Sequence, residues 1–220
     1  MPHVAAPLDI APAAYYIPLD MEQLATRGRP REFDLDKALA AALRVFWSKG
    51  YEGASLTDLT EAMGITRPSL YAAFGNKESL FRQALDLYQR EKQAYVGKAL
   101  EAPTVKGVAE RFLRGTLETC TSECEPRGCL GVIASTACGA DAECIRQEVV
   151  ERTRKVQALI IARVEKGIAD GDFDRPVDAE AITKYMMAVL QGLAVQAGAG
   201  ATREELERVV DMTMTCWPGR

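Results

Sequence analysis

Five of the six cysteines in this 220-residue chain fall within one stretch of 25 residues. On a helix, Cys120 and Cys124 would share a face, because they are four residues apart. Clustered thiols can be oxidised reversibly or can bind a soft metal such as Cu(I), while free cysteine is also a common buried small hydrophobe. The spacing lacks the paired units of a zinc site, and His3 is the only histidine. The three interpretations stay open for the set Cys120, Cys124, Cys129, Cys138 and Cys144.

Cys129 has the local sequence best suited to a reactive thiol. Arg127 lies two residues before it, and both residues fall near the start of a helix that is predicted from about Pro126 towards Cys138. A nearby cation and a helix N-terminus both lower a thiol pKa. Structural disulfides are not expected, because cytoplasmic thiols are normally reduced. These features favour a thiol switch centred on Cys129.

A second group of chemically competent side chains occupies residues 66–71. Thr66, Arg67, Ser69 and Tyr71 are hydrogen-bonding or cationic and lie close together in the sequence. Such side chains suit base edges and phosphates, since arginine can pair bidentately with guanine. Pro68, within the same run, could contact a thymine methyl group. The group therefore indicates DNA recognition, provided that the backbone presents it on one surface.

Two short helices joined by a tight turn are predicted to present these residues. Ser55 and Asp58 have the spacing of a capping box for the first helix, and Gly64 can end it. Thr66 can cap the second helix, with Pro68 in its first turn. The pattern predicts a helix-turn-helix, whose second helix can lie in the major groove of DNA.

From Phe33 to Leu80 the chain resembles the tetracycline-repressor (TetR) family of bacterial transcription regulators. The matching segments are Ala41–Phe46, Lys49–Tyr51, Ser55–Leu59, Gly64-Ile65, Ser69–Tyr71, Phe74 and Asn76–Leu80. The resemblance implies an all-α fold, with a three-helix DNA-binding head and a helical body for effector binding and dimerisation. We expect a disordered tail over residues 1–26, the head over 27–77 and the body over 78–220.

The resemblance assigns DNA contacts to particular positions. Thr57 lies in the supporting helix, Thr66 to Ser69 occupy base-reading and phosphate-contacting positions, and Tyr71 and Lys77 match positions that usually hold phosphates. The segment Arg27-Gly-Arg-Pro-Arg31 reads as a basic arm for the minor groove. The predicted DNA-binding residues are Arg27, Arg29, Arg31, Thr57, Thr66, Arg67, Pro68, Ser69, Tyr71 and Lys77. The family often has a large polar residue after the tyrosine, where this chain has Ala72 and Ala73.

The charge distribution agrees with this division of the chain. The formal net charge of −4 argues against a protein that coats DNA nonspecifically. Residues 27–77 nevertheless carry eight Lys/Arg and six Asp/Glu, whereas residues 1–26 carry three acidic residues and no basic one. Phosphate neutralisation is thus expected in the predicted head. No secretion signal or membrane-spanning apolar run is evident, so we expect a cytoplasmic protein; Met21 is a candidate alternative start.

The last two predicted helices, over about 178–197 and 202–216, each carry a broad apolar stripe. The first stripe includes Tyr185 and Val195, and the second includes Val209. The resemblance implies that these helices pair with a second copy, which would place two recognition helices on a palindromic site. The residues predicted at the dimer interface are Ile182, Met186, Val189, Leu193, Leu206, Val210, Met214 and Trp217.

The resemblance also implies an effector pocket in the body that is coupled to the fourth helix, predicted over 77–100. Aromatic and aliphatic residues on several predicted helices are candidates to line it, although such stripes also fill ordinary cores. The candidate lining residues are Tyr88, Tyr95, Phe112, Leu117, Ile133, Tyr185 and Met186.

These patterns predict a homodimeric repressor that binds an operator near its own gene and releases it on sensing a small ligand or an oxidising compound. We expect neither enzymatic activity nor a cofactor, because no CxxC motif, phosphate loop or nucleophile elbow is present. A copper-responsive repressor stays open as an alternative, because the head and Gly28-Arg-Pro30 resemble a branch that includes one. A helical thiol enzyme and an adaptor without DNA binding are further alternatives.

Overall fold

The computed structural model describes residues 33–136, 139 and 142–219, and the predicted all-α fold is confirmed for them. The tail at 1–26, the arm residues Arg27, Arg29 and Arg31, and Cys138 lie outside the described residues. Within that part of the chain the helices are α1 (Leu35–Gly53), α2 (Leu56–Met63), α3 (Arg67–Phe74), α4 (Lys77–Lys92), α5 (Tyr95–Leu100), α6 (Val105–Cys120), α7 (Leu130–Thr136), α8 (Glu143–Asp170), α9 (Ala179–Gly198) and α10 (Arg203–Thr215). None of these helices is both long and apolar enough to span a membrane.

Local capping chemistry defines the predicted helix-turn-helix. The capping box of Ser55 and Asp58 is present, and Gly64 ends α2 in the left-handed conformation with φ of 64°. Thr66 caps α3 by accepting a hydrogen bond from the Ser69 N–H. The hydrogen bond from the Lys49 ammonium, together with those from Ser55, holds the pKa of the Asp58 carboxyl well below its usual range. The predicted start and end of α2 and the predicted start of α3 are therefore confirmed.

The head joins the body through α4, which packs along α1. The sequence predicts one continuous helix over 77–100, and this prediction is wrong, because α4 ends at Lys92 and α5 begins at Tyr95. The Thr119 hydroxyl donates to the Lys92 carbonyl at 3.2 Å. The last carbonyls of a helix lack partners within the helix, and this hydrogen bond supplies one for Lys92. The Tyr95 ring then lies over Gly115 of α6, where any Cβ would lie 2.4 Å from the ring. Contacts between distant residues thus end α4.

The body is built around α6, which packs against α5, α9 and α10, while α8 packs against α7 and α9. The sequence predicts a helix from about Pro126, but residues 121–129 form a loop and α7 begins at Leu130. Gly128 in this loop has φ of 87°, a conformation that ends helical structure and that favours glycine. Within the described residues, extended pairing is limited to one isolated antiparallel bridge between Phe173 and Gly219.

Candidate DNA-binding surface and effector cavity

The N-terminal half of α3 forms a polar surface at the outer side of the head. Leu70 and Phe74 bury the inner face of α3, so the opposite face points away from the core. Thr66, Arg67 and Pro68 are exposed, Ser69 is half-buried, and Tyr71 is 48% exposed. The residues predicted to read DNA are therefore accessible together on one short helix.

A hydrogen bond joins this surface to the supporting helix. The Arg67 guanidinium donates to the Thr57 hydroxyl of α2 at 2.9 Å, and the hydroxyls of Thr66 and Ser69 lie 3.0 Å apart. Arg67 and Thr57 are ten residues apart in sequence, and both were predicted to contact DNA. The structure thus brings the predicted contacts of α2 and α3 into one continuous surface, although their DNA contacts stay predictions.

Lys77 has a partner within the chain that the sequence analysis missed. Its ammonium lies 4.6 Å from the centre of the Tyr51 ring, which is a cation–π geometry. Burial lowers the pKa of Lys77, and the charge of Glu52 opposes this effect. Tyr51 therefore holds the lysine at the start of α4, where a cation opposes the helix dipole. An aromatic residue 26 positions away gives no sequence signal for such a contact.

The body contains a cavity of about 90 Å³. Tyr88, Tyr95 and Phe112 line it, as the sequence predicts. Its other lining residues are Leu85, Gln89, Gln93, Val96, Thr116, Thr119, Cys120, Cys129, Gly131, Val132, Ser135, Val149, Arg152, Thr153, Val156, Met187, Leu190 and Gln191. The mixture of apolar walls and a few polar groups is typical of a small-molecule site.

Four residues predicted to line the pocket lie elsewhere. Leu117 and Met186 are buried in the core, Ile133 packs near Gly50, and Tyr185 is 46% exposed. None of the four is among the residues that surround the cavity. The α9 residues that line the cavity are instead Met187, Leu190 and Gln191. The helix therefore presents Met187 to the cavity, where the sequence predicted its neighbour Met186.

The polar groups of the cavity are held in fixed positions by neighbours. The hydroxyls of Tyr95 and Thr116 lie 2.9 Å apart, and the Tyr88 hydroxyl donates to the Cys129 sulfur at 3.4 Å. Burial raises the pKa of both tyrosines, so their hydroxyls stay neutral near pH 7. Arg152 donates to Glu148, to Asp86 at 2.6 Å and to Gln89 at 2.7 Å. The two carboxylates balance the positive charge of Arg152 at the cavity wall. The arrangement favours an uncharged ligand with a hydrogen-bonding group.

Two of the five clustered cysteines meet at this cavity. Cys120 and Cys129 are buried and line it, whereas Cys124 and Cys144 are exposed. Burial raises the pKa of the Cys120 thiol well above its usual range. Within the described residues, no three or more side chains of His, Cys, Asp or Glu are grouped so that they could hold a metal ion.

The Arg127 side chain makes contacts that the sequence did not predict. The Arg127 guanidinium donates to the carbonyl of Ala197, in the last turn of α9, at 3.0 Å and to that of Ala201, in the connection between α9 and α10. Arg127 is therefore an anchor for the loop 121–129, and its side chain is directed to these carbonyls.

The predicted dimer residues are mostly buried within a single chain. Val189 is half-buried, and the others lie in the core: Ile182, Met186, Leu193, Leu206, Val210, Met214 and Trp217. These side chains cover α6 and α8, because α9 and α10 turn their most apolar stripe inward. Exposed apolar side chains on the outer faces of the two helices are Tyr185, Val195, Val209 and Met212. We name these four residues the outer apolar patch.

Comparison with known proteins agrees with this architecture over most of the chain. Residues 38–84 match the model of the family described as bacterial regulatory proteins, tetR family, and residues 109–213 match a tetracyclin repressor-like C-terminal domain. The HTH-type transcriptional repressor ComR of Escherichia coli K12 is 32% identical over 203 residues, which cover 88% of this chain and 93% of ComR. The repressor BdcR of the same organism is 27% identical over 81% of this chain and 86% of BdcR.

A solved structure of a related regulator includes DNA. A cysteine mutant of the TetR-family regulator CifR, complexed with a 26-base-pair operator, is 43% identical to this chain and superposes with a TM-score of 0.81. The match covers 86% of this chain and 100% of that CifR chain. These relatives belong to a class of regulators and not of enzymes. The chain therefore belongs to the TetR family of bacterial regulatory proteins, and it is a DNA-binding transcriptional regulator.

Proposed function

We propose that the protein is a dimeric cytoplasmic repressor that reads a palindromic operator with α3 and releases it when the body cavity is occupied. The observation that carries the proposal is the exposed polar N-terminal half of α3, joined to α2 by the hydrogen bond from Arg67 to Thr57. The N-terminal end of a recognition helix is the part that meets base edges in this motif. The operator complex of CifR supports the same use of the head.

The division into a head over 27–77 and a body over 78–220 belongs to this proposal. The outer apolar patch supports dimerisation through the body, because Met212 is 64% exposed and Val195 is 59% exposed. Large apolar side chains that are exposed on a surface often mark a protein contact. A twofold contact there would present two copies of α3 to the two halves of a palindrome.

The cavity supports control by a ligand because α4 takes part in both regions. Tyr88 of α4 lines the cavity, and the same side chain packs edge-on against Trp47 of α1 at 4.8 Å between ring centres. A ligand that binds one arrangement of α4 more tightly shifts the protein towards it. Occupancy of the cavity can thus be linked to the arrangement of the head.

Base reading by Arg67 is tested by an alanine substitution. Arg67→Ala should lower affinity for the preferred operator by about 1–3 kcal/mol and relax specificity at one base pair, because a bidentate contact is lost. Operators would be selected from a random duplex pool, and affinity measured by fluorescence anisotropy. Arg154→Ala is the matched control, since Arg154 is an exposed arginine of α8 in the body. Equal affinities for Arg67→Ala and wild type would contradict the assignment.

The cysteines favour a second candidate signal, which is oxidation or alkylation of a thiol in the cavity. This candidate rests on the placement of Cys129 and Cys120 in the cavity wall. Treatment with diamide should weaken operator binding of wild type, and Cys129→Ser should retain binding under the same treatment. Cys124→Ser is the control, because Cys124 is exposed and outside the cavity. Release of the operator by the Cys129→Ser protein would remove Cys129 from the mechanism.

A further inference from the structure

The loop 121–129 connects the cavity to the head along a path separate from α4. Its Glu125 accepts a hydrogen bond from Lys92 at the end of α4 at 2.8 Å, and pairs with Arg44 of α1 at 3.2 Å. The Gly128 N–H donates to the Cys120 carbonyl at the end of α6 at 2.9 Å. One short loop thus contacts the first helix of the head and two helices that line the cavity.

The buried part of this connection is made by Trp47. Its indole N–H donates to the Gly128 carbonyl at 3.1 Å, and the bond is buried. Trp47 is 1% exposed and does not line the cavity, but its ring packs against Tyr88, which does. The next residue after Gly128 is Cys129, whose sulfur accepts the hydrogen bond of Tyr88. Trp47 therefore contacts one residue of the cavity wall, Tyr88, and the residue that precedes another, Cys129.

Gly128 links Cys129 to the hydrogen bond of Trp47 and lies close to the backbone of α9. Its φ of 87° is a conformation that side-chain-bearing residues rarely adopt. A Cβ at this position would lie 3.1 Å from the Ala194 carbonyl, so the backbone of α9 confines the loop on one side. Close-packed interiors transmit strain because they compress little. A shift of the cavity wall at Cys129 is then passed to the Gly128 carbonyl and to the indole that binds it.

We propose that Trp47 is the positioning residue through which α1 responds to the state of the cavity, in addition to the connection through α4. The inference rests on the proposed function, in which occupancy of the cavity changes operator binding. Trp47 acts through its hydrogen bond to Gly128 and touches neither the ligand nor DNA. Arg44 and Glu125 hold the same loop at the surface.

A double-mutant cycle in operator binding tests this role without requiring the natural effector. Cys129→Met adds volume to the cavity wall, and Trp47→Phe keeps a ring against Tyr88 but removes the indole donor. Cys129→Met should weaken operator binding by about fivefold or more when Trp47 is present, and by less than about twofold in the Trp47→Phe background. Trp217→Phe is the matched control, because the buried indole N–H of Trp217 has no hydrogen-bond partner within the described residues. That background should retain the full effect of Cys129→Met.

A second measurement follows the indole itself in the absence of DNA. In the Trp217→Phe protein Trp47 is the remaining tryptophan, and its indole N–H resonance should shift when Cys129→Met is added. If Cys129→Met lowers the unfolding temperature, Ser135→Leu replaces it in both measurements, because a leucine at this position of α7 fills the same cavity. Equal weakening in both backgrounds, or an unchanged indole resonance, would overturn the role of Trp47. If wild type selects no operator, the proposed function is rejected instead. The shift of the indole resonance then tests by itself whether Trp47 responds to the cavity.

Discussion

Replacing Met212 by glutamate is expected to convert the proposed dimer into a monomer and to weaken operator binding by about 100-fold or more. Met212 is the most exposed residue of the outer apolar patch, and twofold symmetry would introduce its charge into the contact twice. A carboxylate buried without a partner disfavours association strongly. Each monomer would then bind half of the palindrome, without the gain that comes from linking two sites. Analytical ultracentrifugation gives the oligomeric state, and anisotropy gives the affinity.

The control for this prediction is Ile168→Glu. Ile168 is also an exposed large apolar residue, at 39% exposure, but it lies on α8 and outside the outer apolar patch. This substitution should leave both the mass and the operator affinity unchanged. A Met212→Glu protein that sediments as a dimer and binds DNA normally would place the contact elsewhere.

Phe46→Ala is expected to reduce the free energy of unfolding by about 3–5 kcal/mol, through lost burial and the cavity left behind. Phe46 is fully buried in α1, and its ring packs edge-on against Phe81 of α4 at 4.9 Å between centres. The substitution removes one of the aromatic contacts between α1 and α4. Urea denaturation followed by circular dichroism measures the change.

Val45→Ala provides the comparison, because Val45 is its half-buried neighbour on the same helix. Its expected cost is about 1 kcal/mol or less. Typical domains have only about 5–15 kcal/mol of stability, so Phe46→Ala should also reduce operator binding at 37 °C. If the two variants unfold at similar urea concentrations, the prediction that Phe46 contributes strongly to the packing of α1 against α4 is contradicted.

The head could be predicted in detail because its signals are local. Ser55, Gly64 and Thr66 determine where α2 and α3 begin or end through hydrogen bonds and backbone conformations within a few residues. Such chemistry can be read from the order of residues alone. The exposed residues of α3 followed from the same pattern, since the inward positions of Leu70 and Phe74 fix the outward ones.

The body was harder to predict because its features depend on neighbours distant in sequence. The end of α4 depends on Thr119 and on the space above Gly115, and the guanidinium of Arg127 binds carbonyls some 70 residues away. Periodicity identified apolar stripes on α9 and α10, but it could not distinguish packing against α6 from packing against another copy. The cavity-lining residues Tyr88 and Cys129 likewise meet only in the folded chain.

We propose that two copies of this chain bind one DNA duplex in a sequence-specific and salt-dependent manner. The most direct test is native mass spectrometry of the protein with a selected palindromic duplex and with a scrambled duplex, repeated at increasing ammonium acetate concentration. We expect two chains on each selected duplex, little complex with the scrambled one, and loss of the complex as salt rises because phosphate contacts release counterions. A single chain on each duplex, or equal binding to both duplexes, would contradict it.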